Sequence, residues 1–342
     1  MKTWVLYIVL FTSLVLIQEV GRAQGCSDPG ICTIGTLNSE TTKDSVSGVD
    51  FENAGLEELL SVSHTREKFR FELSGMYAMG EHDTQIYSVI FRGIIRIKKK
   101  MLLNLRLPYS SANGTLGSNS GLGDVALSLQ NTFFSGKHKR LSATIGIVVP
   151  TGTANASDNG SVLPMAYQTT LGSVNALIGV SGAYKNWGAA IGYQHSFGEN
   201  GNMFYTDNLV TDDTHIGFDP LNEYRLGFPS ARRMKRGSDI ILRVERKFNV
   251  GKKFGLVVGV LPIFRLTRTT ITLDTGEGEE EEVVLDGTDG LTLNVTGGVK
   301  YAPSRNWLIR MNFGAPVISR DLSADGLTRK FVGIVSVAYK IW

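Results

Sequence analysis

The sequence predicts an all-β protein: a closed antiparallel transmembrane β-barrel of about 12 strands with a short N-terminal periplasmic segment. Three observations predict it. Most of the chain beyond Thr65 alternates apolar and polar residues with period two, as strands with two unlike faces do. Glycine is abundant at 39 residues while charged residues make up only 20%, which suits many hairpins rather than solvated helices. The connections between the predicted strands alternate between short and long, the pattern of a barrel with turns on one rim and loops on the other.

The chain opens with Lys2 and the apolar or hydroxyl run WVLYIVLFTSLVLI over 4–17, too short to cross a bilayer comfortably. Polar Gln18 and Glu19 follow, then Gly21-Arg22-Ala23, whose small residues suit signal-peptidase cleavage after Ala23. Residues 1–23 are therefore read as a signal peptide. A retained anchor is the alternative, and a lipid anchor on Cys26 is disfavoured because Ala23 replaces the bulky aliphatic residue usual three positions before a modified cysteine. Cys26 and Cys32 are the two cysteines of the chain and form a candidate disulfide in an oxidising compartment. Two cysteines with no neighbouring histidine do not make a zinc site.

Residues 24–63 are polar and Ser/Thr-rich and are read as a periplasmic N-terminal segment or plug. Within NAGLEELLSVS at 53–63, Leu56, Leu59 and Leu60 share one helical face and Asn53 can cap the helix. The helix can plug a lumen, bind a periplasmic partner or pack at the barrel mouth.

Residues 64–342 are read as the barrel. Strands are predicted near 65–80, 84–97, 101–109, 121–134, 140–150, 165–183, 187–197, 238–249, 254–274, 288–302, 306–318 and 327–342. Clear apolar rows are Phe69, Phe71, Leu73 and Tyr77; Leu103, Leu105 and Leu107; Leu141, Ala143, Ile145, Ile147 and Val149; and Trp307, Ile309, Met311 and Phe313. Short connections fall at 98–100, 135–139, 185–186, 249–253 and 303–306. Long polar ones fall at 110–121, 153–165, 198–237 and 276–287. A soluble sandwich of this size, the competing fold, would have to protect its edge strands, whereas closure removes them.

With the apolar rows in lipid, the opposite rows place Arg70, Glu72, Arg92, Arg96, Arg106, Asp124, Gln130, Arg243, Glu245 and Arg310 as candidate lumen-lining residues. Arginines facing carboxylates can form a constriction with modest anion preference, or a closed ion-pair network that leaves no pore. The sequence leaves both open.

Other function classes are weaker. A formal charge of +3 without a basic, aromatic-interleaved platform argues against nucleic acid as a partner. No metal-ligand cluster or phosphate loop implies a cofactor. An enzyme would need His195 and Ser196 to act as base and nucleophile, yet adjacent strand residues point to opposite faces. The acidic GEGEEEE run is read as a solvated loop, lacking the ligand spacing of a calcium loop.

Gly121, Gly123 and Asp124 in GLGD, with Pro150-Thr151-Gly152 ending a later strand in VVPTG, resemble the outer-membrane transporter-like proteins named for the meta-pathway of phenol degradation. The resemblance implies a small-molecule channel for apolar or aromatic compounds and assigns no residue to a substrate. Each motif also has a structural reading: glycine releases a loop into a strand and proline ends one. The C-terminal FVGIVSVAYKIW resembles the terminal signal read by the barrel-assembly machinery, although its apolar row is Phe331, Gly333, Val335, Val337, Tyr339 and Ile341, out of step with Trp342.

The expectation is a channel in the cell outer membrane, reached after signal-peptide cleavage, that passes a small solute passively. Its other partners would be lipid, lipopolysaccharide and the barrel-assembly machinery. The alternative is a structural or partner-binding barrel acting through the 198–237 loop and the N-terminal segment.

Overall fold

The computed structural model describes residues 68–341 except 137, 207–208, 210, 212–214, 216–218, 252 and 275–278. Residues 1–23, read above as a signal peptide, the 24–63 segment with Cys26 and Cys32, and Trp342 lie outside the described residues.

The chain forms, in order, β1 (Phe69–Gly80), β2 (Gln85–Lys98), β3 (Met101–Gly114), β4 (Gly117–Leu122), β5 (Val125–Ser135), β6 (Lys139–Val149), β7 (Ser157–Asp158), β8 (Ser161–Val162), β9 (Val174–Tyr184) and β10 (Trp187–Phe197). After the short helix α1 (Asn222–Leu226) come β11 (Asp239–Val250), β12 (Phe254–Arg265), β13 (Thr269–Asp274), β14 (Glu280–Leu285), β15 (Gly290–Tyr301), β16 (Trp307–Ile318) and β17 (Arg329–Ile341). The long strands pair antiparallel with their chain neighbours, and β1 pairs β17 from Phe69↔Ile341 to Gly80↔Arg329, which closes a barrel of 12 strands. Closure leaves the 12-stranded wall itself without an edge strand.

Period-two alternation sets the two faces. Along β1, Arg70, Glu72, Ser74, Met76 and Ala78 are buried while Phe71, Leu73 and Met79 are exposed. The same register runs around the wall: Leu105, Leu127, Ile147, Val180, Ile191, Val258 and Val337 point outward, and Asn104, Ser128, Thr144, Ser181, Gln194 and Ser336 point in. An apolar outside over a polar inside inverts a soluble core and is the facing a bilayer requires.

Aromatic belts bound this band. Near the short turns, Arg246 stands over the Trp187 and Phe248 rings at 5.2 and 5.1 Å, and Lys139 and Lys185 approach the Tyr184 ring. Tyr77 and Tyr87 meet at the opposite rim with ring centroids 5.2 Å apart. Rings of this kind sit at headgroup depth, where their polar ends stay wet. Ile178→Arg, in mid-band and paired with Ile145, is therefore expected to cost roughly 2–4 kcal/mol of folding stability in lipid, against about 0–1 for Trp187→Arg at the rim. Urea unfolding in vesicles measures both, and equal costs would contradict the membrane depth assigned here.

Five element readings require correction. The stretch 165–183 is a strand only from Val174. Pro164 and the positive φ of Gly172, +75°, turn 163–173 inward, with a 3-10 turn at Met165–Tyr167 whose three residues are all buried. The stretch 254–274 leaves the barrel at Arg265, and Thr269–Asp274 pairs instead with Glu280–Leu285. The second half of the acidic run thus belongs to a hairpin, because Thr270, Thr272, Val283 and Leu285 supply strand-forming residues and its glutamates are held by Arg233–Glu280 and Lys235–Glu282 ion pairs. Finally, 121–134 breaks at Gly123–Asp124. The 110–121 stretch is not an open loop: β3 runs to Gly114 and β4 folds back on it from Gly114↔Gly117 to Tyr109↔Leu122.

Candidate functional site

The inward rows carry more cations than carboxylates, and the structure gathers them in three places. On β1, β2 and β3, Glu72, Arg92 and Arg106 lie side by side in register. Glu72 accepts a hydrogen bond from Arg310 of β16 and lies 3.8 Å from Arg92, whose Nη2 donates to Asn104 Oδ1 at 3.3 Å. Arg70 is buried across from Lys340, and Gln130 is buried on β5. On β11, Glu245 Oε2 takes Arg243 at 3.0 Å and Glu245 Oε1 takes Lys247 at 3.1 Å. Arg96 belongs to neither group: it is half-buried at the short-turn end of β2, where Nη1 donates to Lys99 O at 3.1 Å. Alternation placed it on the inward row, but the strand ends two residues later and the side chain serves the turn.

Asp124 is buried but acts as a latch. Thr170 Oγ1 donates to its Oδ1 and the Leu171 amide donates to Oδ2 at 3.2 Å. The GLGD and VVPTG stretches meet at this point. Thr151 Oγ1 donates to Gly123 O at 2.5 Å, and a Cβ on Gly152 would lie 2.0 Å from Leu122 O and 2.6 Å from Thr169 Oγ1. The two motifs therefore hold residues 169–171 against the wall, and glycine at 152 is needed for that close approach.

Above this latch the long loops fill the mouth. Tyr167 is fully buried beside Phe228 and its hydroxyl accepts the Leu116 amide at 3.3 Å. Asn202 Nδ2 donates to Ala154 O at 2.7 Å, tying the 150–173 connection to the 198–238 connection, within which Asn200 Oδ1 accepts the Met234 amide at 2.8 Å. Gly326, at φ +63°, passes so close to 165–166 that a Cβ there would lie 2.3 Å from Ala166 N. Between these segments and the wall remains a cavity of about 40 Å³, lined by Ser110, Asp124, Thr170, Asp325 and Arg329 among others. At roughly 10–15 Å³ each, that admits only a few waters.

A charged cluster under the mouth escaped the sequence reading. Asp239 Oδ1 accepts Arg265 Nε at 2.8 Å and Asp239 Oδ2 accepts Arg236 Nη2 at 2.5 Å. Asp325 Oδ2 accepts Arg236 Nε at 3.0 Å and Arg265 Nη2 at 2.9 Å. Arg320 lies beside them, with Nη1 4.0 Å from Asp239 Oδ1. Burial alone would raise the Asp325 carboxyl, but Arg265, Arg236 and Arg320 hold it well below the usual carboxylate range. Inward parity on β11 and β12 marks Asp239 and Arg265; nothing in the sequence marks Arg236, Arg320 or Asp325, which arrive from two separate connections.

Ser196 and His195 point to opposite faces. Ser196 donates inward to Asn175 Oδ1, while His195 Nδ1 meets Ser238 Oγ at 2.7 Å, just before β11. The hydroxyl that His195 meets is thus Ser238 and not the adjacent Ser196. Nor is any group of three or more His, Cys, Asp or Glu side chains placed to hold a metal among those residues.

No family model and no curated protein matches the chain. Among solved structures it is similar to the COG4313 outer membrane channel from Pseudomonas putida F1, with TM-score 0.51 and 13% identity, over 81% of this chain and 96% of that one. The NanC porin, at TM-score 0.43 and 8% identity over 79% of this chain and 100% of that one, is more distant and carries no argument. At these identities the likeness concerns the fold alone: this chain has the barrel architecture of an outer-membrane channel.

Proposed function

We propose that this chain is an outer-membrane channel passing a small solute by diffusion, with its long loops outside the cell and its short turns in the periplasm. The observation that carries the reading is the inverted barrel itself: an apolar outer band between aromatic belts around an inner face of fixed, buried charge. The fold shared with a bacterial outer-membrane channel supports it. The motif resemblance implies apolar or aromatic solutes, and the inner face adds a preference for negative charge, since among the described residues Arg70, Arg92, Arg106, Arg310 and Lys340 outnumber the carboxylates Glu72 and Asp124 on their side of the wall. Insertion by the barrel-assembly machinery through β17 and contact with lipopolysaccharide at the long-loop rim belong to the same proposal.

A second reading, a structural or partner-binding barrel without an open pore, is favoured by the filled mouth. Planar-bilayer recording of the refolded mature protein separates the two. The channel reading expects discrete single-channel steps and, under a KCl gradient, a reversal potential of anion-selective sign. Silence from protein shown to be folded and inserted would transfer the case to the structural barrel. A variant lacking residues 24–63 tests whether the N-terminal segment also occludes the lumen.

A further inference from the structure

In the cluster beneath the mouth, the charges do not balance. Arg236 and Arg265 are matched by Asp239 and Asp325, each carboxylate taking two or more guanidinium hydrogen bonds. Arg320 is the third guanidinium and has no carboxylate of its own. Its side chain is 4% exposed, its nearest carboxylate oxygen lies at 4.0 Å, and neither Nε nor Nη1 has a hydrogen-bond acceptor; Arg236 Nη1 lacks one too. A buried cation without acceptors is costly. Burial and the like charge of Arg265 bring its pKa down to about 9, so it is still cationic at neutral pH. The cluster thus presents one excess positive charge and unmet N–H donors from two residues. Asp325 also borders the cavity of about 40 Å³, so unpacked space adjoins the cluster.

We infer that Arg320 and Arg236 form a binding site for a small monocarboxylate inside the barrel, beneath the long-loop mouth. One negative charge neutralises the excess, and two carboxylate oxygens can accept the donors that the protein leaves unmet; charge-assisted hydrogen bonds of this kind are among the strong ones. Asp239 and Asp325 have a positioning role, holding Arg236 in place while repelling dianions and leaving the third guanidinium to the ligand. The small adjoining space favours ligands of few heavy atoms. The inference deepens the channel reading by naming a solute class, and its transport meaning rests on that reading, whereas the binding itself does not.

Line broadening of ¹³C-labelled acetate by the folded mature protein in detergent tests the site directly, with acetamide as the neutral isostere and chloride as the inorganic competitor. The expected result is saturable broadening of acetate, none for acetamide, and affinity reduced at least about tenfold, or about 1.4 kcal/mol, in Arg320→Gln. Arg320→Lys should retain part of the binding, and it keeps the test usable if the glutamine variant fails to fold, with far-UV circular dichroism checking both. Absence of saturable acetate binding by the wild type, equal binding of acetamide, or unchanged affinity in Arg320→Gln would each overturn the inference. Displacement of acetate by chloride at equal concentration would overturn the carboxylate assignment. Ion conductance without acetate binding would leave the channel and remove the site; acetate binding in a silent barrel would do the reverse.

Discussion

Asp325→Ala is expected to destabilise the folded barrel by about 3–5 kcal/mol, the cost of removing one partner from a buried ion-pair network. Asp325 is almost fully buried at the hub of the mouth cluster, where its Oδ2 accepts from Arg236 and Arg265 and its Oδ1 accepts from Ser323 Oγ at 3.0 Å. Without it, three guanidiniums would face Asp239 alone in a site with little water. The 319–328 connection would lose its anchor to the wall, so proteolysis of that connection should accelerate along with the fall in the urea midpoint. A loss below about 1 kcal/mol, the range of an exposed pair, would mean that water enters the cluster. The sign of the pH dependence follows from the depressed carboxyl. Its contribution is fully present above the ordinary aspartate pKa of about 3.9 and is lost only as pH falls through the lower folded value. Mild acid should therefore leave the Asp325 cluster intact, and a conductance change between about pH 7 and 5 in the wild type would have to come from other groups, the latch carboxylate Asp124 first among them.

Replacing residues 163–171 by a Gly/Ser linker of equal length is expected to raise single-channel conductance several-fold while leaving the strands paired. These residues place Leu163, Met165, Ala166, Tyr167 and Leu171 in buried apolar clusters inside the mouth, and the segment touches the wall through Asp124. In a narrow barrel of this strand number a few such side chains suffice to close the bore. Asp124→Ala is the smaller perturbation: it removes the acceptor for Thr170 and Leu171 and should give more frequent openings without a larger maximal step. Unchanged conductance in the linker variant, with far-UV circular dichroism showing an intact barrel, would locate the main constriction lower, at the Glu72–Arg92–Arg310 group.

Much of the wall was legible because a strand has a period of two and a barrel in lipid must keep one face apolar. Those two facts place Arg70, Glu72, Arg92, Arg106 and Arg310 on the inward row from sequence alone. Arg96 shows the limit of parity, since it lies where the strand is about to turn and its guanidinium reaches a turn carbonyl. The longer misreadings share a cause. Residues 165–173 and 269–274 have strand-like composition, but composition does not say which neighbour a strand will find. Gly172 and the Asp124 latch draw the first into the lumen, and the 280–285 stretch captures the second as a hairpin outside the ladder.

What the sequence by itself determined is the wall: about 12 crossing strands in their order, the facing of most of them, and the division into short turns and long loops, because each depends on alternation within one strand and on spacing along the chain. What only the tertiary structure decided is the closure of the mouth. The latch between GLGD, VVPTG and Thr170, the burial of Tyr167, and the convergence of Arg236, Asp239, Arg265, Arg320 and Asp325 join residues far apart in the chain through hydrogen bonds and ion pairs. Such pairings follow no periodicity, since they are set by where the loops land once the barrel has closed.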